Sequence, residues 1–131
     1  MTELDTNVLI RHLTQDDPVQ SPLATRLIER TLTEADPGFV SLVTLMELAW
    51  VLRSNYRWEA PKIAETLLLL LQTENLAVQN QDEVFIASRA VELGLGSFGD
   101  ALSAALGQWA GCETTLTFDV KASRLDGFTR V

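Results

Sequence analysis

Apolar positions along the chain alternate between short runs and longer stretches at helical spacing, the pattern of strands followed by helices. Thr2 to Leu4 predicts a short strand, and Asn7 to Leu13 a helix entered directly from it. Thr14-Gln15-Asp16-Asp17-Pro18 stops that helix, because Pro18 has no N–H and keeps Asp17 extended. Ser21-Pro22 predicts the next helix start, with Ser21 as N-cap and Leu23, Leu27, Ile28 and Leu32 as its apolar stripe. After the turn Asp36-Pro37-Gly38, Phe39-Val40-Ser41 reads as a second strand. The helix that follows, Val43 to Asn55, is apolar almost throughout and carries charge only at Glu47 and Arg53. Glu47 is therefore expected to be a buried carboxylate in need of a partner.

Trp58-Glu59-Ala60-Pro61 opens a helix to about Leu71, whose five consecutive leucines cover more than one face. Such a helix is either deeply buried or shared between two chains as a homodimer contact. Leu76 to Gln79 predicts a third strand, and Asn80 or Asp82 caps a helix stopped by Gly94. Asp100 opens a helix rich in small residues that ends at Gly111. Thr114 to Phe118 is β-branched and alternating, the clearest strand signal in the chain, and it runs into Asp119. A short helix or turn over Lys121 to Asp126 and an edge strand over Phe128 to Val131 complete the outline. Strands alternating with helices imply βαβ units and a central, mainly parallel sheet, in one α/β domain over residues 1–131.

On that outline four acids occupy comparable positions. Asp5 and Asp119 each follow a strand, Glu47 lies early in the helix after the second strand, and Asp100 starts a helix after a glycine-rich loop. If the strands form one parallel sheet, all four lie at its carboxyl edge, where α/β proteins meet their ligands. Gathered carboxylates repel one another, and a hard divalent cation such as Mg²⁺ removes that cost. Such an ion polarises a phosphoryl oxygen and helps to supply a hydroxide-like nucleophile, so phosphoryl hydrolysis is the implied chemistry. Taken singly, Asp100 reads sooner as an N-cap than as a ligand, and Asp5 and Asp119 read equally as turn residues.

The net charge of −8 argues against a broad basic groove, although acids that hold a metal do not exclude RNA. His12 is the only histidine and Cys112 the only cysteine, which removes histidine- or cysteine-based zinc sites and an intramolecular disulfide. A single thiol suits a reduced, cytoplasmic setting. No apolar run approaches a membrane span, and no basic segment precedes an apolar one as in a signal peptide. Arg11 stands close enough to the first acid to reach substrate phosphate, or else points into solvent. Trp50, Tyr56 and Trp58 can stack bases, but aromatics at helical positions usually serve the core or a partner.

Leu4-Asp5-Thr6-Asn7-Val8-Leu9 resembles the opening motif of PIN-domain ribonucleases, in particular VapC-type toxins of bacterial toxin–antitoxin pairs. Val40-Ser41 through Glu47-Leu48 is similar to their second motif, Gly99-Asp100-Ala101-Leu102 to the third, and Leu116-Thr117-Phe118-Asp119 to the fourth. The resemblance implies a three-layer α/β/α sandwich and an endoribonuclease dependent on Mg²⁺ or Mn²⁺, cutting tRNA or another structured RNA. It also implies a homodimer inhibited by a cognate antitoxin, with Asp5, Glu47, Asp100 and Asp119 holding metal directly or through water. Thr6, Asn7 and Thr117 would position ligands or phosphate. Many such toxins carry another acid where this chain has Ser97, whose hydroxyl can still meet a metal-bound water. The apolar stretches Leu45 to Leu52 and Leu67 to Leu71 suit an amphipathic antitoxin helix laid in a groove.

Three alternatives compete. Asp5-Thr6-Asn7-Val8 faintly resembles the opening of haloacid-dehalogenase-type phosphatases, but Asn7 replaces their second aspartate. Phosphorelay receivers share the length and fold class, yet this chain lacks their aspartate after the third strand and their lysine strand. A PIN module that acts only by binding protein is the third, and Ser97 is the residue that favours it.

Overall fold

The computed structural model describes residues 1–131, which divide into two compact units. The first comprises Met1–Trp58 and Leu69–Gln81, the second Glu59–Leu68 and Asp82–Val131. Every strand pairing in both is parallel, as the alternation of strands and helices requires.

In the first unit, β1 (Thr2–Glu3), β2 (Gly38–Val40) and β3 (Leu76–Val78) form a sheet in that order. Thr2 pairs with Gly38, and Gly38 with Leu76. Gly38 is required by close approach: a Cβ there would stand 2.8 Å from the Leu32 side chain and 2.9 Å from that of Leu4. Helix α1 (Thr6–Thr14) leaves β1 through Asp5, buries Leu9 and Ile10, and ends at Gln15 in left-handed conformation with φ 53°. Helix α2 (Gln20–Arg26) continues into a π-helical turn over Leu27–Thr31, and α3 (Leu42–Ser54) follows β2. Helix α1 packs against both α2 and α3.

Ser21 is not the N-cap that its position before Pro22 predicts. The helix starts two residues earlier, at Gln20, where the Asp17 carboxylate accepts the amides of Val19 and Gln20 at 2.9 and 2.7 Å. Ser21 is buried within the first turn, and its hydroxyl accepts the Asp17 N–H.

Helix α4 (Ala60–Gln72) contributes to both units. Its leucine run is mainly core: Leu67 and Leu70 are buried, Leu68 and Leu71 half-buried, and only Leu69 is exposed. In the second unit, α5 (Gln81–Glu92) ends ahead of Gly94 at φ 74°, α6 (Phe98–Trp109) follows, and β4 (Thr115–Thr117) pairs with β5 (Phe128–Arg130). A 3₁₀ turn over Ala122–Arg124 joins these two strands. They form a sheet of their own, not a continuation of β1–β2–β3. The premise of one sheet edge shared by all four acids is thereby corrected: Asp5 and Glu47 relate to one sheet, Asp119 to the other. No helix is long and apolar enough to cross a membrane.

Candidate active site

Asp5 sits where strand turns into helix. Its backbone is extended, φ −78° and ψ 158°, and its Oδ1 accepts the Thr6 amide at 2.7 Å. The residue is exposed, and its carboxylate serves as helix cap through Oδ1. Thr6 is buried in the first turn and Asn7 beside it is exposed.

Glu47 belongs to the second turn of α3, and here the structure corrects the expectation of burial. The buried face of α3 is Thr44, Leu45, Leu48 and Leu52; Glu47 lies on the exposed face with Val43, Met46 and Trp50. Its charge stays hydrated and needs no partner. The start of α3 is held from two sides: the Ser41 hydroxyl accepts the Thr44 amide at 3.2 Å, and the Gln79 side-chain oxygen accepts the Leu42 amide at 2.9 Å. Gln79 thus ties the end of β3 to the helix that carries Glu47, a role its position after a strand did not reveal.

In the second unit, Asp100 is not an N-cap. Ser97 fills that role with extended backbone, and its hydroxyl accepts the Asp100 amide at 3.2 Å. Asp100 is half-buried in the first turn and has no capping bond of its own to make, so its carboxylate is available for other work. Asp119 follows β4 and is exposed; its Oδ1 accepts the amides of Lys121 and Ala122 at 2.8 and 3.0 Å. Its own N–H donates to the Thr117 hydroxyl at 3.0 Å. Thr117 therefore shapes the turn that presents Asp119.

Arg11 is held by side-chain partners and is not free in solvent. Its Nε donates to the Gln20 side chain at 2.8 Å, and its Nη1 meets Asp16 at 3.3 Å and the Tyr56 hydroxyl at 3.4 Å. Burial disfavours its charge, but Asp16, Tyr56 and Asp17 outweigh that and raise its pKa. Tyr56, considered above as a base-stacking residue, has its hydroxyl committed to Asp16 at 2.6 Å. His12 lies half-buried in the last turn of α1, with Nδ1 3.0 Å from the Thr25 hydroxyl. Burial lowers its pKa against the opposing influence of Glu29. Cys112 is exposed and unpaired.

The four acids offer only oxygen donors, which fits Mg²⁺ or Mn²⁺ and not a soft metal. Three or more His, Cys, Asp or Glu side chains are nowhere placed as one group able to hold a metal ion. The structure brings Asp5 and Glu47 into one unit and Asp100, Asp119, Ser97 and Thr117 into the other.

No curated protein matches the chain. The PIN domain family matches residues 3–128, a span that takes in all four acids and every helix. Proteins of this family are generally metal-dependent nucleases, and the parallel α/β architecture agrees with such a domain. This chain, matched from Glu3 in β1 to Phe128 in β5, belongs to the PIN domain family.

Proposed function

We propose that the chain is an endoribonuclease toxin of the VapC type, dependent on Mg²⁺ or Mn²⁺ and acting on tRNA or another structured RNA. One observation carries the reading: within a PIN domain, Asp5, Glu47, Asp100 and Asp119 all keep carboxylate oxygen that is not consumed by an ion pair. Asp5, Glu47, Asp100 and Asp119 would hold the metal directly or through water. Bound there, the ion would activate water and offset charge on the phosphate. The chain's own residues set the stage for it: Asp5 and Asp119 are fixed by backbone amides, and Ser97 orders the turn that presents Asp100. Thr6, Asn7 and Thr117 would shape the turns that meet phosphate.

The exposed face of α3 supports protein partners. Val43, Met46 and Trp50 recur at helical spacing there and are 76%, 40% and 65% exposed. An amphipathic helix of a cognate antitoxin, or a second copy in a homodimer, would cover this stripe. The test is cleavage of total RNA by purified protein with Mg²⁺ or Mn²⁺, with excess EDTA as control and Asp5→Asn and Asp100→Asn as variants. Cleavage should require the metal and both carboxylates; activity that survives EDTA sinks the reading. Ser97 favours a second reading, a PIN module that only binds protein, and Mn²⁺ calorimetry separates the two: that module binds its partner but no ion.

A further inference from the structure

The bond network around Asp16 joins two helices by their far ends. Asp16 lies beyond the end of α1, where Gln15 in left-handed conformation turns the chain back. Its Oδ2 accepts the Tyr56 hydroxyl at 2.6 Å, and Tyr56 follows the last turn of α3. Backbone bonds from the Tyr56 and Trp58 amides to the carbonyls of Val51 and Leu52 fix Tyr56 to that helix. Its Oδ1 lies 3.3 Å from Arg11 Nη1 and 2.7 Å from the Thr14 hydroxyl, both on α1. The Thr14 proton is shared in alternation with the Ile10 carbonyl, also at 2.7 Å. Arg11 adds a bond to the Tyr56 hydroxyl and one to Gln20 of α2. One carboxylate thus receives donors from α1 and from the segment after α3. The helices it ties together carry Asp5 at the start of one and Glu47 on the other.

We propose that the Asp16 carboxylate and the Tyr56 hydroxyl are positioning groups that lock α1 to α3 and thereby set the separation between the Asp5 turn and the helix face bearing Glu47. The leverage is simple. Helix α1 has nine residues, roughly 13 Å of axis at about 1.5 Å per residue. With Leu9 and Ile10 buried near its middle as the fulcrum, a shift at its end would be passed on to the Asp5 turn. Ligand groups tolerate only about 0.5 Å of such misplacement. The consequence for metal rests on the function proposed above; the mechanical coupling does not.

Tyr56→Phe tests it, because it keeps the ring and removes the hydroxyl. In ¹H–¹⁵N spectra of metal-free protein, the Thr6 and Asn7 amides should move, although neither is bonded to Tyr56. Asn75→Ala, which removes a side-chain bond to the Ile28 carbonyl, serves as a comparator for general loosening and should leave both amides in place. Mn²⁺ affinity should fall about three- to tenfold in Tyr56→Phe, less than the tenfold to hundredfold lost with groups touching a ligand directly. Asp16→Ala should reproduce both effects. Thr6 and Asn7 amides unmoved in Tyr56→Phe overturn the proposal, as does unchanged Mn²⁺ affinity alongside moved amides. Should the wild-type protein bind no Mn²⁺, the metal reading fails, and the metal-free spectra still decide the coupling.

Discussion

Ser97 offers the sharpest test of how a local capping bond and the proposed ligand Asp100 share one turn. Its hydroxyl accepts the Asp100 amide at 3.2 Å, and its backbone is extended at φ −73° and ψ 156°. Ser97→Ala removes the acceptor in a turn open to water, so the cost should fall near the middle of the capping range, about 1 kcal/mol. Ser97→Asp keeps an acceptor at the N-cap. It gains about 0.3–1 kcal/mol from a negative charge at the helix N-terminus. It loses about 0.2–0.5 kcal/mol to repulsion from Asp100 three residues on. The two nearly cancel, which leaves Ser97→Asp within about 0.5 kcal/mol of wild type. For a chain of 131 residues the alanine variant should melt about 3–6 °C lower. Urea unfolding in EDTA gives the stability ranking, and Mn²⁺ titration gives the other half of the prediction. An added carboxylate in the Asp100 turn should tighten Mn²⁺ binding in Ser97→Asp. An alanine variant as stable as wild type, or an aspartate variant as unstable as alanine, refutes the capping argument.

Two further outcomes follow from burial. Leu48 is fully buried beside Glu47, so Leu48→Ala should lose about 2–5 kcal/mol in urea unfolding; a loss under 1 kcal/mol would mean that the α3 core face collapses around the deletion. His12 is held neutral by burial, which lowers its pKa in the folded chain against the pull of Glu29. The unfolded chain then takes up the proton first, so this stability is fully present above about pH 6.5 and is lost as pH falls through the lower folded value. His12→Gln should flatten the stability profile below about pH 6.5, and a profile identical to wild type would show that His12 is hydrated in both states.

The local parts of the fold were legible because their causes are local. Asp5 does lie between a strand and an apolar helix, and the β-branched run ending in Asp119 is a strand. Ser21-Pro22 misled because a better acceptor stood four residues upstream: Asp17 already satisfies the leading amides, and Ser21 turns inward. Asp100 misled in the same way, since Ser97 stands three residues ahead at capping distance. Glu47 shows a different limit. Apolar residues surround it on every side of α3, so periodicity cannot say which face is core; Leu45, Leu48 and Leu52 take that face and leave Glu47 in water. Strand partnership was also out of reach, because β4 and β5 are three-residue strands whose pattern does not specify a sheet. The Asp16 network joins residues forty positions apart, and only Asp16-Asp17-Pro18 as a turn was visible beforehand.

The placement of the acids explains how a chain with net charge −8 sustains them without ion pairs. None of the ion pairs in the structure involves Asp5, Glu47, Asp100 or Asp119. Backbone amides do the stabilising instead: Thr6 N–H for Asp5, and Lys121 and Ala122 N–H for Asp119. Asp100 lies in the first turn of α6, where the helix dipole favours negative charge. An amide that binds one carboxylate oxygen leaves the second lone-pair set unspent, whereas a lysine or arginine would compete with a cation for both. Glu47 has no such support in mid-helix and relies on exposure to water. Two acids, Asp5 and Asp119, are therefore preset by backbone amides while Asp100 and Glu47 are adjustable, so removing the capping amides' geometry should harm metal binding more than any change among surface basic residues.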